Sequence, residues 1–418
     1  MSRAVRRRLR QPSGLRIALA DSITQLDPLA WDAATAGASW FFSRTYLTML
    51  EAVPPAQIEP RCALVCDAAG PVAAVVMQWA EVSGSALRAL PKSSDDDEVN
   101  PLRRLAGAIA RRGTEAVAAR LRERVLVCGN LLSYGPHAVA VAADVDPAAA
   151  WPAVAEVLYR VRRAEKLAGQ AGFVLVKDIT PALAGRAAVL KSLSYREVET
   201  EPNMVLALDP AWKRHEDYLA GLASKYRSAV KNKVLEPIRA AGLELRAFDA
   251  TEVPAGVLHG LYLQVHENAA MRPFTLHPDY FAALARAAGE RARFSGVFSG
   301  NGDGNRLLGF IVTLDDGLQA IGYHIGFARA AAAMHPLYLR LLHASVADAI
   351  ALGACELSLG RTALEPKSRL GAKPQPLTVW ARHRQPVFNK LATRLLTLVH
   401  HDEAPECHPF KKATAAAP

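Results

Sequence analysis

Residues 359–373 read LGRTALEPKSRLGAK. Arg361, Lys367, Arg369 and Lys373 crowd around two glycines, directly after the apolar run CELSL (355–359). Such a run reads as a short buried strand, so the cations stand where a strand leaves a core. An arginine forks onto a carboxylate or phosphate and a lysine supplies a point charge. Arg361, Lys367 and Arg369 are therefore candidates for holding an anionic or carbonyl group. Tyr323 and His324 are neighbours in a strand candidate, IGYHIGF (321–327). Imidazole suits a general base near neutral pH, and a phenol suits a proton donor to a leaving group. Neighbours on a strand face opposite sides, so only one of the two is expected to face a site. Tyr338, in the first turn of the next helix candidate, is a further proton donor. Lys225 and Arg227, with Lys231 and Lys233, lie in SKYRSAVKNK (224–233), a basic helical tract suited to a polyanion. His400, His401, Cys407 and His408 lack structural-zinc spacing, so no metal is expected. No G-x-S-x-G, H-E-x-x-H or Walker sequence occurs.

The elements that must position these residues recur along the chain. A hairpin pattern, RCALVCDAAGPVAAVVMQWAEV (61–82), returns as RFSGVFSGNGDGNRLLGFIVTLDDG (293–317). Each is an apolar run, a turn rich in Gly and Asp, and a second apolar run. Further on, HAVAVAAD (137–144), a helical run (148–169) and FVLVKDI (173–179) match IGYHIGF, HPLYLRLLHASVADAIALG (335–353) and CELSLG (355–360). The flanking strands start at 137 and 173 in the first half, and at 321 and 355 in the second. Leu337, Leu341, Leu342, Val346 and Ile350 share a helix face spaced for a core. The pattern predicts a duplicated α/β (α+β) domain, each copy a mixed twisted sheet flanked by helices. The expected boundaries are a basic arm (1–16), a first domain (17–200), a second domain carrying the site (201–398) and a tail (399–418). Between the halves, EPNMVLALDPAW (201–212) reads as a strand. A long helix over 215–242 is expected to be interrupted near Pro237 and to stop at Gly242. The acidic loop KSSDDDEVNP (92–101) reads as exposed.

The 418 residues carry a net charge of +10, and 51% of them are apolar. The charge is localised: +6 in residues 1–16, +6 in 361–418 and −2 between. Basic ends and one basic tract fit an anionic partner such as a phosphate-bearing substrate or RNA. The longest run without charge, Val125–Ala143, contains Asn130, Pro136 and His137 and reads as strand, loop and strand, not as a membrane span. Five cysteines without C-x-x-C fit a reducing compartment, and a cytoplasmic location is expected. DNA is not an expected partner.

On the segment LASKYRSAVKNK (222–233), the strand IGYHIGF, the helix opening HPLYLRLL (335–342) and the closing LGRTALEPKSRLGA (359–372), the chain resembles the Fem-type acyltransferases of the GNAT superfamily. It is similar as well to their BioF2-like relatives. The resemblance spans about residues 200–395. It implies tandem GNAT domains and transfer of an acyl group to a small-molecule or peptide amine, with acyl-CoA or aminoacyl-tRNA as co-substrate and no bound cofactor. It implies that IGYHIGF and CELSLG splay apart, leaving backbone N–H groups to face the donor and a developing oxyanion. The catalytic candidates are Tyr323, His324 and Tyr338, and the substrate-binding candidates are Arg361, Lys367, Arg369, Lys225 and Arg227. The first domain would be a degenerate copy that shapes the cleft. The resemblance departs at 328–336, ARAAAAMHP, where the family's Gly-rich pyrophosphate loop has no counterpart. Ala side chains and Pro336 hinder close approach of a pyrophosphate to the backbone. A non-catalytic binding protein of the same fold is the rival reading.

Overall fold

A computed structural model describes residues 11–83, 122–165, 171–268, 274–300, 305–386, 389 and 404–411. The acidic loop 92–101, most of the basic arm and most of the tail lie outside these residues.

Apolar alternation and β-branched runs build two sheets. The first contains β1 (Arg16–Ala20), β2 (Ile58–Cys66), β3 (Pro71–Ser83), β4 (Arg122–Cys128), β5 (Val139–Val141), β6 (Ala171–Ile179), β7 (Arg196–Glu199) and β15 (Thr378–His383). Its order is β1-β2-β3-β4-β6-β15-β7, with β5 continuing β4 along β3. The second contains β8 (Asn203–Ala207), β9 (Leu243–Ala247), β10 (Ala292–Ser299), β11 (Leu307–Asp315), β12 (Ala320–Phe327), β13 (Glu356–Ser358) and β14 (Lys373–Gln375), in the order β9-β10-β11-β12-β13-β8-β14.

Read position by position, the two orders coincide. Only the fourth and fifth strands of each, β4 with β6 and β12 with β13, pair in parallel. Every other neighbouring pair is antiparallel. A crossover helix joins each parallel pair, as parallel pairing requires. These are α2 (Pro147–Ala164) in the first half and α7 (Leu337–Ala351) in the second. The face of α7 expected to be apolar is buried, from Leu337 and Leu341 to Ile350.

The halves are interlocked. Strand β7 ends the first sheet and its successor β8 enters the second; β14 ends the second and its successor β15 enters the first. A division at residue 200 therefore leaves β15 in the sheet of the other half. The two crossing segments touch, where the Thr200 hydroxyl donates to the Leu377 carbonyl at 2.9 Å. One core runs through both halves. It joins Trp31, Phe41, Tyr46 and Leu64 with Tyr280, Phe281, Phe310 and Leu341.

The expected long helix after β8 is broken twice. The chain is extended at Leu222, which bridges to Phe410, and the Ala223 N–H donates to the Pro409 carbonyl. Helix α3 (Ser224–Val230) then passes into a π-helical turn, Lys231–Leu235, ahead of Pro237. Proline lacks an N–H and crowds the carbonyl four residues earlier, and the wider turn absorbs that conflict. Gly242, at φ +65°, ends the segment as expected. Among the described residues no helix is long and apolar enough to cross a membrane.

Candidate active site

Strands β12 and β13 stay together for two pairs only, Ala320 with Leu357 and Ile321 with Ser358. Beyond them the chain after β13 follows β8 instead: Leu359 N–H donates to the Met204 carbonyl and Met204 N–H to the Gly360 carbonyl. From Gly322 to Phe327 one edge of β12 thus has no strand partner among the described residues. Such an edge presents backbone donors and acceptors that need a partner. This is the splay expected between IGYHIGF and CELSLG.

In the first half the equivalent opening is filled. Strands β4 and β6 pair from Arg124 to Cys128, with a register shift after Arg124, and the chain then leaves the sheet and returns as β5. Gly129 N–H donates to the Val76 carbonyl and Val76 N–H to the Ala138 carbonyl, so the excursion begins and ends on one residue of β3. The excursion plugs its own opening. Lys177 donates to the Ser133 carbonyl at 2.6 Å, and the Gly135 N–H donates to Asp178 at 3.0 Å. Its other end is held by His137, which bonds the Ser133 hydroxyl at 2.7 Å and stands 3.4 Å from the buried Asp316 of the second half.

Tyr323 and His324 do not face opposite sides. Strand β12 bulges between the partners of Val312 and Thr313, so Tyr323 has no register partner on β11. A bulge adds a residue and re-aims side chains. The two rings lie 4.2 Å apart by centroid, and both approach Tyr280, at the start of α5 (Tyr280–Ala288). Tyr323 shares a 2.7 Å bond with the Tyr280 hydroxyl and a 3.4 Å bond with that of Tyr46, on α1 (Arg44–Ala52). Asn130 of the excursion donates to Tyr46 at 2.9 Å, so the chain of hydrogen bonds crosses the seam between the halves. Burial pushes the Tyr323 and Tyr280 phenols well above their usual range, which keeps them protonated.

His324 is not a base poised near neutral pH. Burial, then the nearby His266, pushes it down to about 3. Its Nε2 is sealed from solvent among Tyr262, Tyr280 and Phe281, with no hydrogen-bond partner among the described residues. Tyr338 lies at the far end of β12, its ring 6.3 Å from that of Phe327. Burial raises its phenol to about 12, so it too remains protonated.

The loop after β13 is strained. Gly360, Thr362 and Ala363 have φ of +74°, +58° and +49°. A branched residue in this region costs on the order of 1–3 kcal/mol, and such strain gathers at functional sites. Lys367, on α8 (Leu364–Leu370), closes the loop: it is 3% exposed and its ammonium donates to the Gly360 and Arg361 carbonyls. Burial pulls its pKa down to about 7, with Glu201 opposing. Arg361 reaches across the seam to Asp178, 183 residues away in sequence, and lies over the Tyr134 ring.

The structure joins Tyr323 and His324 with Tyr280 and Tyr46, brings Lys367 onto the Arg361 carbonyl in the loop after β13, and leaves Tyr338 beside Phe327 at the far end of β12. The other three take no part in these contacts. Arg369 is an exposed cation whose charge is taken by Glu365, one helical turn away. Arg227 donates to the Leu222 carbonyl at 3.3 Å, capping the break before α3, and Lys225 is exposed. The positions that sequence reasoning missed are Asp178, Lys177, Tyr134, Asn130, Tyr46 and Tyr280. A signal existed for two of them: KD at the end of FVLVKDI puts charges where an apolar strand ends, as Arg361 does after CELSL.

A short helix, α6 (Arg329–Met334), occupies the segment ahead of α7. Three of its N–H groups have partners: those of Ala332 and His335 donate to the Ala328 and Ala331 carbonyls, and that of Arg329 donates to the Gln264 side chain. Among the described residues no cluster of three or more His, Cys, Asp or Glu side chains could hold a metal.

No protein-family model matches the sequence. No curated protein matches it either. Solved structures do. The crystal structure of FemX superposes with a TM-score of 0.52 at 11% identity, covering 88% of this chain and 98% of FemX. The chain has the Fem-type tandem GNAT fold. A tandem GNAT protein from the clavulanic acid biosynthesis pathway gives a TM-score of 0.48 at 12% identity, covering 89% of this chain and 99% of that one. At such identity the likeness is one of fold. In this tandem GNAT fold the opened pair is β12 with β13, and the plugged pair is β4 with β6.

Proposed function

We propose that the second half transfers an acyl group from an activated donor to an amine by direct attack. The observation that carries this is the opening between β12 and β13, left free in the second half and plugged in the first. In this reading the donor carbonyl lies along Gly322–Phe327, whose free N–H groups stabilise the oxyanion that develops as the amine adds. The C–N bond forms as the bond to the donor's leaving group breaks. The amine loses one proton and the leaving group gains one. Tyr338, protonated at neutral pH, and Lys367, near its own pKa there, suit that exchange. No covalent enzyme intermediate is needed. The first half supplies a wall to the cleft and no second centre.

The segment that folds as α6 favours one donor over another. A pyrophosphate cradle needs close approach to the backbone, and residues 328–336 hold no glycine to allow it. That supports an aminoacyl ester carried on tRNA over a thioester of CoA. Calorimetric titration with acetyl-CoA, and separately with bulk aminoacyl-tRNA at two salt concentrations, tests the choice. Salt-sensitive tRNA binding with silent CoA supports aminoacyl transfer. Micromolar acetyl-CoA binding assigns the CoA donor instead. Binding of neither leaves a non-catalytic binding protein as the better account.

A further inference from the structure

Charges at the seam between the halves are paired unevenly. Asp178, wholly buried at the end of β6, takes both Lys177 and Arg361 as ion-pair partners. Neither cation has a second carboxylate among the described residues. Glu201, on the same rim, accepts the Thr362 N–H at 3.3 Å and acts on Lys367. It acts on Tyr134 as well, but forms no ion pair with Lys177 or Arg361 among the described residues. A buried cation without its own counter-charge is costly, and side-chain donors left idle there call for an acceptor.

Several donors are idle. Lys177 commits two of its three N–H groups, to Ser133 and Asp178. Arg361 commits one side-chain bond, to Asp178, and its Nε is sealed with no partner. The Tyr134 hydroxyl has no hydrogen-bond partner among the described residues, while its ring stands 5.4 Å from the Lys177 ammonium and 5.5 Å from the Arg361 guanidinium. Gly360 lets this ring approach, since a Cβ there would meet it at 3.0 Å. The cluster directly follows β13, beside the opening where the donor would lie. Asp178 sits in the left-handed region at φ +57°, a strained position held by both halves.

We propose that Lys177, Arg361 and the Tyr134 hydroxyl bind a carboxylate of the amine acceptor, so that the acceptor is an amino acid or a peptide with a free carboxylate. As a statement about the acceptor this rests on the acyl-transfer reading; as a carboxylate site it does not. Both halves build the site, which gives the plugged first half a role in choosing the substrate. Asp178 holds the two cations in place and is not itself a ligand.

The test is a calorimetric comparison of glycylglycine with glycylglycinamide, which differ at the carboxylate. The wild-type chain binds the free acid about ten-fold or more tighter, the usual worth of a charge-assisted hydrogen bond. Lys177→Met abolishes that preference, and Tyr134→Phe, which keeps the ring and removes only the hydroxyl, reduces it about three-fold. Should Lys177→Met fail to fold, as judged by its melting transition, Tyr134→Phe carries the test. Equal affinity for the two dipeptides, binding of neither, or a preference unchanged in the variants overturns the proposal. No acyl donor is present, so the two readings fail separately. A carboxylate preference without turnover sinks acyl transfer alone, and donor binding without the preference sinks this site alone.

Discussion

Lys367→Met is the most informative single perturbation, because burial makes the stability of the wild-type chain depend on pH in a known direction. The ammonium is 3% exposed and its pKa falls from 10.5 to about 7 on folding. Between those values the unfolded chain binds a proton that the folded chain releases, so unfolding free energy rises with pH. The penalty for charging Lys367 is full below pH 7 and gone above 10.5. The slope in that window is at most about 1.4 kcal/mol per pH unit, and the whole window at most roughly 5 kcal/mol. Methionine cannot titrate, so Lys367→Met loses this component. It also strands the Gly360 and Arg361 carbonyls, at roughly 1–3 kcal/mol, but that loss is the same at every pH. Denaturant unfolding of both proteins from pH 6.5 to 10 isolates the effect. The difference between the two curves should move steadily in favour of the wild type as pH rises. Parallel curves would refute the burial of a titrating ammonium in this loop.

Asp178→Asn leaves Lys177 and Arg361 facing each other without a counter-charge and should cost about 3–5 kcal/mol in urea unfolding; a change below about 1 kcal/mol contradicts the shared carboxylate. Gly326→Ala places a Cβ 2.7 Å from the backbone nitrogen of Tyr262, on α4 (Ala255–His266), and from the Phe310 ring. It should destabilise the second half by about 1–3 kcal/mol, read as a lower melting temperature. Because His324 is held near 3, the rate of any transfer reaction should show no ionisation between pH 5 and 8 that disappears in His324→Gln; such a limb would restore His324 as the base.

The duplication was legible because strand spacing is a local property. The run lengths from HAVAVAAD to FVLVKDI and from IGYHIGF to CELSLG reflect the same crossover helix. The return of β15 to the first sheet was not legible, since TVWARH would pair as well in either one. The bulge at Tyr323 defeated simple alternation: nothing in IGYHIGF marks the residue that loses its partner. The four cations after CELSL signalled a special loop, but their division of labour depends on distant groups. Arg361 meets Asp178, from the first half. Lys367 turns inward onto its own loop, while Arg369, two residues on, turns outward to Glu365. Pro237 was visible as a disturbance of its helix; the break at Leu222 was not, because the tail around Pro409 and Phe410 makes it.

The central claim is that the unpaired edge of β12 receives the acyl donor. Hydrogen exchange of the full chain, read by mass spectrometry with and without aminoacyl-tRNA or acetyl-CoA, tests it directly. Exchange should slow at residues 322–327 and 359–363 on addition of whichever donor binds, and remain unchanged in the plug at 129–138. Protection at 129–138 alone, or none at 322–327 under saturating donor, would contradict the account.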